Sequence, residues 1–184
     1  MYKKAVSQKL RGGILAELLC GVFLAALIAL TDGAAMYLLA GFIGIFLIMI
    51  PVSMVKYITH LNAVKAQYGD ELEADVNACE KNVAGKYFFF DDCLIDLADA
   101  RMIYYSEITR ISGMHTEETW TPATGRHYAG AVIQLTMDSG KNCLFSSFTN
   151  GMAKNSTETI NSYRQFCLYM GEYAPHAIAE GRQQ

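Results

Sequence analysis

Apolar residues run almost without interruption from Ile14 to Leu30 and again from Ala34 to Val55, with only Thr31, Asp32 and Gly33 between the two runs. Glu17 is the one ionisable residue in the first run, and the second run has none. At 1.5 Å per residue each run makes a helix of roughly 25 to 33 Å, about one hydrocarbon thickness of a bilayer. The pattern predicts a transmembrane hairpin with spans over residues 14–31 and 34–56. A cleaved signal peptide competes for the first run, because Met1 to Arg11 is basic and Gly33, Ala34 and Ala35 are small. An h-region of about 7 to 15 residues is shorter than this run, and a second span follows at once, which favours a retained hairpin.

Beyond the second run the pattern changes period. Ile58, Leu61, Val64, Tyr68, Leu72, Val76, Cys79 and Val83 step by three or four, the spacing of one helix face, so a juxtamembrane amphipathic helix is expected over residues 58–84. Gly69 followed by Asp70 is a stop and restart signal, and Asp70 with Glu73 has capping-box spacing, so a kink or short break is expected there. From Lys86 the chain reads as short strands: Tyr87 to Phe90, Cys93 to Leu97, Met102 to Tyr105, Ile108 to Met114, Tyr128 to Met137 and Asn142 to Phe148. The last two flank Asp138-Ser139-Gly140-Lys141, where the glycine can take positive φ in a hairpin turn. A terminal helix is expected from Asn155, whose side chain can cap, with Ile160, Tyr163, Phe166 or Cys167, and Met170 on one face until Pro175. The chain thus divides into residues 1–57 (basic segment and hairpin), 58–84 (helix) and 85–184 (an α+β domain ending in a helix).

Charge follows the same division. Up to Tyr57 five Lys and Arg face two acids, whereas from Ile58 ten face sixteen, so the body is acidic within a whole chain of net charge −3. An acidic body is repelled by nucleic-acid phosphate and anionic lipid, and no nucleic-acid partner is expected. Lys3, Lys4, Lys9 and Arg11 precede the first span and Lys56 closes the second, which places both termini in the cytoplasm and the protein in the cytoplasmic membrane as a multi-pass chain. The five cysteines show no CxxC pair and read as reduced, mostly buried small hydrophobes.

A strand meander closed by one amphipathic helix is the order of a pleckstrin-homology-like (PH-like) barrel. The hairpin, the juxtamembrane helix with Gly69, the Tyr87-Phe88-Phe89-Phe90 strand and the Ile103-Tyr104-Tyr105-Ser106-Glu107-Ile108 segment resemble bacterial membrane proteins with a PH-like domain of the YcxB-like kind. The resemblance implies an antiparallel barrel or sandwich on a bacterial membrane; it implies no substrate and no catalytic residue.

Candidate chemistry is sparse. Phosphoinositide pockets need converging basic donors, and Asp91 with Asp92 stands at the corresponding turn, which disfavours a lipid-phosphate ligand. His115, Glu117, Glu118 and His127 lack metal-ligand spacing, and Ser106 lies in the Tyr105-Ser106-Glu107 turn, where a capping or turn role is commoner than catalysis, so neither a metal, a cofactor nor an enzyme activity is expected. Trp120, the only tryptophan, lies in a polar connection from Thr116 to Arg126; with Arg126, His127 and Tyr128 it forms a candidate partner contact, while folding back as a lid on the barrel is the plainer alternative. In the membrane, Gly21, Ala25 and Ala29 on the first helix and Ala40 and Gly44 on the second form small-residue ridges that suit the hairpin's own packing, with a homo-oligomer as the other option. Glu17 shares the first ridge, and Lys56 is its candidate intramembrane partner. The function expected is a non-enzymatic, bilayer-anchored module presenting a surface to a protein partner. A lipid- or envelope-sensing module and an accessory subunit of a membrane transporter are the alternatives.

Overall fold

The computed structural model describes residues 1–30, 34–121, 126–146, 148 and 156–178, with 29, 30, 34–38, 113–121, 126–130, 156 and 178 described by backbone only. The chain is α+β and divides into two compact units: Met1–Ala74 with Leu97–Arg101, and Asp75–Asp96 with Met102–Gln184.

The first unit is built on two long helices, α1 (Tyr2–Leu30) and α2 (Ala34–Tyr68). Both are long and apolar enough to cross a membrane. Helices of this composition can also form the core of a soluble protein, but almost none of their most apolar stretch is buried here. Val22 and Ile48, each 69% exposed, lie on that apolar surface. Thr31, Asp32 and Gly33 of the expected turn lie outside the described residues.

The expected juxtamembrane helix is not a separate element. The second helix continues unbroken to Tyr68, where Gly69 takes φ +116° and its amide donates to the Lys65 carbonyl at 2.9 Å. A residue at that φ without a Cβ ends a helix cheaply, so the stop falls where Gly69 and Asp70 predicted it. Only a short α3 (Leu72–Ala78) follows, and Asn82 and Val83 are strand rather than helix. The three-to-four spacing extended past Ala78 because Cys79 and Val83 happen to keep the step; the chain there turns to pair with the next strand.

Among the described residues seven strands, all but Arg101 within the second unit, make two antiparallel sheets. The first has the order β1 (Asn82–Val83), β2 (Tyr87–Phe89), β3 (Cys93–Asp96) and β4 (Arg101–Tyr104). The second has the order β5 (Ile108–Thr121), β6 (Arg126–Met137) and β7 (Asn142–Phe145). Neither sheet closes on itself among the described residues. The Phe90 amide donates to the Cys93 carbonyl at 3.0 Å across the exposed Asp91 and Asp92, which form the β2–β3 turn. Gly140 takes φ +76° in the β6–β7 turn, and its amide donates to the Met137 carbonyl at 2.8 Å.

After the sheets come α4 (Ser156–Tyr173) and a short α5 (Pro175–Ile178). Asn155, the expected cap, lies outside the described residues. Phe166 is fully buried and meets Tyr87, Phe89, Phe145 and Phe148 with ring centroids 5.2 to 5.6 Å apart. Edge-to-face and tilted pairs at these distances add to the area that the rings bury. Met170 is buried one turn on, so the 3.6-residue periodicity of α4 places its apolar stripe against strands from both sheets.

Candidate functional site

Three arrangements carry side chains or backbone in positions that a fold alone does not require. The first lies in the helical unit. The turn from Leu97 to Arg101, between β3 and β4, belongs to that unit and is held there by polar contacts. Tyr57 of α2 is buried, and its hydroxyl donates to the Leu97 carbonyl at 2.8 Å. A buried phenol without such a partner would lose about 1 to 3 kcal/mol. Lys9 of α1 places its Nζ 3.9 Å from Asp99 and 5.8 Å from the centroid of the Tyr57 ring, and Arg101 pairs with the same carboxylate at 2.9 Å. Ala100 in this turn is buried with φ +52°, a conformation that costs a residue with a Cβ about 1 to 2 kcal/mol. Strain of that kind persists only where surrounding contacts over-determine the chain.

The second arrangement is an arm. Sheet neighbours cover β6 only up to a point: β7 pairs with Ile133 to Thr136, whereas β5 and β6 continue outward through Glu117↔Gly130, Glu118↔Ala129, Thr119↔Tyr128, Trp120↔His127 and Thr121↔Arg126. No third strand pairs with that outer ribbon among the described residues. With His115↔Val132 and Thr116↔Ala131, which also lie beyond β7, seven pairs at about 3.4 Å per residue make a ribbon roughly 24 Å long.

The segment from Thr116 to Arg126 is therefore strand over Thr116–Thr121 rather than a polar connection. Glu117 and Glu118 read as loop, but Thr116, Thr119, Trp120 and Thr121 are residue types that fit a pleated surface, and cross-strand pairing lets them express it. Trp120, Arg126, His127 and Tyr128 are brought into adjacent register; their side chains lie outside the described residues, as do those of His115, Glu117 and Glu118.

The third arrangement, absent from the sequence reading, surrounds Tyr105 in the single 3₁₀ turn (Tyr105–Glu107) after β4. Tyr105 is 4% exposed, its hydroxyl has no hydrogen-bond partner among the described residues, and its ring stacks on Tyr173 at 5.1 Å and 14°. Burial, and then the nearby Cys93, Tyr173, Cys79 and Asp92, push its phenol far above the ordinary range. Burial and then Asp92 push the Cys93 thiol up to about 12. The Cys79 thiol donates to the carbonyls of Lys81 at 3.4 Å and Phe89 at 3.6 Å, and burial raises it too. Lys81 pairs with Glu172 and stands 4.7 Å over the Tyr173 ring; those two partners raise its pKa. The thiolate is the nucleophile and metal ligand, so a site that holds both thiols neutral at pH 7 is unsuited to that chemistry. Residues spread from Cys79 to Tyr173 leave no short motif, which is why the cluster is illegible along the chain.

In the hairpin the residues singled out from the sequence separate. The close helix approach is at Gly13, where an added Cβ would meet the Met54 Sδ at 2.7 Å, whereas at Gly21 or Gly44 it would meet nothing within 4 Å. The ridge glycines thus leave open notches instead of seating the partner helix. Ala25 shares a groove with Leu47 of the second helix, Ala40 is half-buried, and the Ala29 side chain lies outside the described residues.

The Gly13–Met54 level also separates Glu17 from Lys56. In antiparallel helices Glu17 falls near the level of Ile50, six residues or about 9 Å along the axis from Lys56. Among the described residues no ion pair joins the two, and Lys56 is exposed. A one-turn estimate from each span's end could not supply that offset, which depends on how the two helices slide against each other.

No family model matches the chain, and neither a curated protein nor a solved structure matches it.

Proposed function

We propose that this protein is a non-enzymatic module anchored in the cytoplasmic membrane by the α1–α2 hairpin, and that it presents the β5–β6 arm to a protein partner. The observation that carries the reading is the register of the arm beyond β7, with no third strand on either edge among the described residues. A two-stranded ribbon is marginal in water, and unpaired strand edges are templates for a further strand. Strand addition by a partner would satisfy those edges, with Trp120, His127 and Tyr128 supplying large side-chain types at the outer end. The order of four strands, three strands and a helix supports a PH-like reading. Both termini are assigned to the cytoplasm from Lys3, Lys4, Lys9, Arg11 and Lys56.

The test places a photo-crosslinking amino acid at Trp120 of the full chain in native membranes, with the same reagent at Leu168, a 67% exposed position on α4, as control. Discrete adducts from Trp120 and none of the same size from Leu168 are expected. Identical patterns at both positions would sink the arm as the contact surface.

A second reading has its own support. The Tyr57, Lys9 and Asp99 contacts tie the β3–β4 turn into the helical unit, so a change in helix tilt would reach the ends of two strands. An envelope sensor built this way should change the hydrogen-exchange protection of Leu97 to Arg101 when the full chain is moved between bilayers of different thickness. Unchanged protection would remove the sensing reading and leave the arm reading intact.

A further inference from the structure

An open groove of about 520 Å³ runs along α1, with Leu18, Gly21, Val22 and Ala25 as walls, Leu47 of α2 at its side, and the Glu17 carboxylate in it. Three facts bear on what fills it. Gly21 leaves a notch in which an added Cβ would meet nothing within 4 Å, so another backbone can approach closely. Glu17 takes part in no ion pair among the described residues, and the helix register holds Lys56 about 9 Å away along the axis. Leu47, which lines the same groove, is the residue whose main-chain carbonyl Pro51 leaves without its usual amide donor four residues on. The Glu17 carboxylate, with no ion-pair partner among the described residues, therefore faces a medium in which unpaired polar groups are expensive.

We propose that this groove seats a transmembrane helix of another membrane protein that carries an arginine or lysine at the depth of Glu17. A second copy of the chain fits poorly. Aligned in the same direction, its α1 sets Glu17 against Glu17, and its nearest basic residue, Arg11, lies six residues or about 9 Å away along the axis. Arginine presents a planar fork of N–H donors that matches the Glu17 carboxylate. The groove lies on the helical unit and its occupancy is independent of the arm.

The probe is a synthetic Leu-Ala transmembrane peptide of about 20 residues carrying one arginine at the depth of Glu17, with an all-apolar peptide as its twin. Each is reconstituted with the full chain in phosphatidylcholine bilayers, and association is read by energy transfer. The arginine probe should bind roughly ten-fold more tightly than its twin, the scale of one interhelical polar contact. Glu17→Gln should erase that preference, Glu17→Asp should keep it, and Gly21→Leu should weaken the arginine probe by filling the notch. Equal binding of the two probes by the wild-type chain, or an undiminished preference in Glu17→Gln, would overturn the proposal. Chain-to-chain transfer that the arginine probe cannot displace would assign the groove to a second copy and overturn it as well.

Discussion

Replacing Phe166 by alanine tests whether α4 closes the core of the strand unit. The side chain is fully buried and stands 5.2 to 5.6 Å, centroid to centroid, from the rings of Tyr87, Phe89, Phe145 and Phe148. A Phe to Ala truncation in a core costs about 3 to 5 kcal/mol, combining lost transfer energy with the cavity left behind. Four rigid rings around the site cannot readily collapse into that cavity, which places the loss toward the upper end, about 4 to 5 kcal/mol. A small domain holds only about 5 to 15 kcal/mol in total. At roughly 4 to 8 °C per kcal/mol for a domain near 100 residues, the melting temperature should fall by at least about 15 °C. The measurement is thermal unfolding of the full chain in detergent or nanodiscs, followed by aromatic circular dichroism, beside Leu168→Ala. Leu168 sits two residues on and is 67% exposed, so its truncation should stay within about 0.5 kcal/mol of wild type. Equal melting temperatures for the two variants would refute the packing argument, because burial would then not be what distinguishes the two positions.

Tyr57→Phe should destabilise the Leu97 to Arg101 turn by about 1 to 2 kcal/mol, read as faster hydrogen exchange there with the strands of the other unit unchanged, because the Leu97 carbonyl loses its buried donor. Cys93 binds its proton more tightly folded than unfolded, since its ordinary value of 9.0 is pushed up to about 12. Its contribution to stability is therefore complete below about pH 9 and is lost as pH rises toward about 12, so Cys93→Ala should flatten the fall in stability across that window. The same shift leaves almost no thiolate at pH 8, and iodoacetamide should label Cys93 in the native chain far more slowly than after denaturation. For topology, a cysteine introduced at Gln183 should resist an impermeant maleimide in intact cells; labelling there would reverse the orientation assigned from the basic residues.

Along the chain, composition and period alone determined the two long apolar helices, the stop at Gly69, most strands, the positive φ of Gly140, and the Phe166 and Met170 face of α4. These are local properties: run length against bilayer thickness, a missing Cβ, or a side-chain repeat of 2 or 3.6 residues. Tertiary structure decided whatever depends on relative slide or on distant partners. The register of α1 against α2 set Lys56 about 9 Å along the axis from Glu17 and put the close contact at Gly13 instead of Gly21. Pairing with β6 made strand of the polar Thr116 to Thr121 segment, because a cross-strand neighbour outweighs weak local preference. The Tyr105, Cys79, Cys93 and Tyr173 cluster and the capture of Leu97 by Tyr57 join residues that sit from 12 to 94 positions apart along the chain, a separation no local pattern encodes.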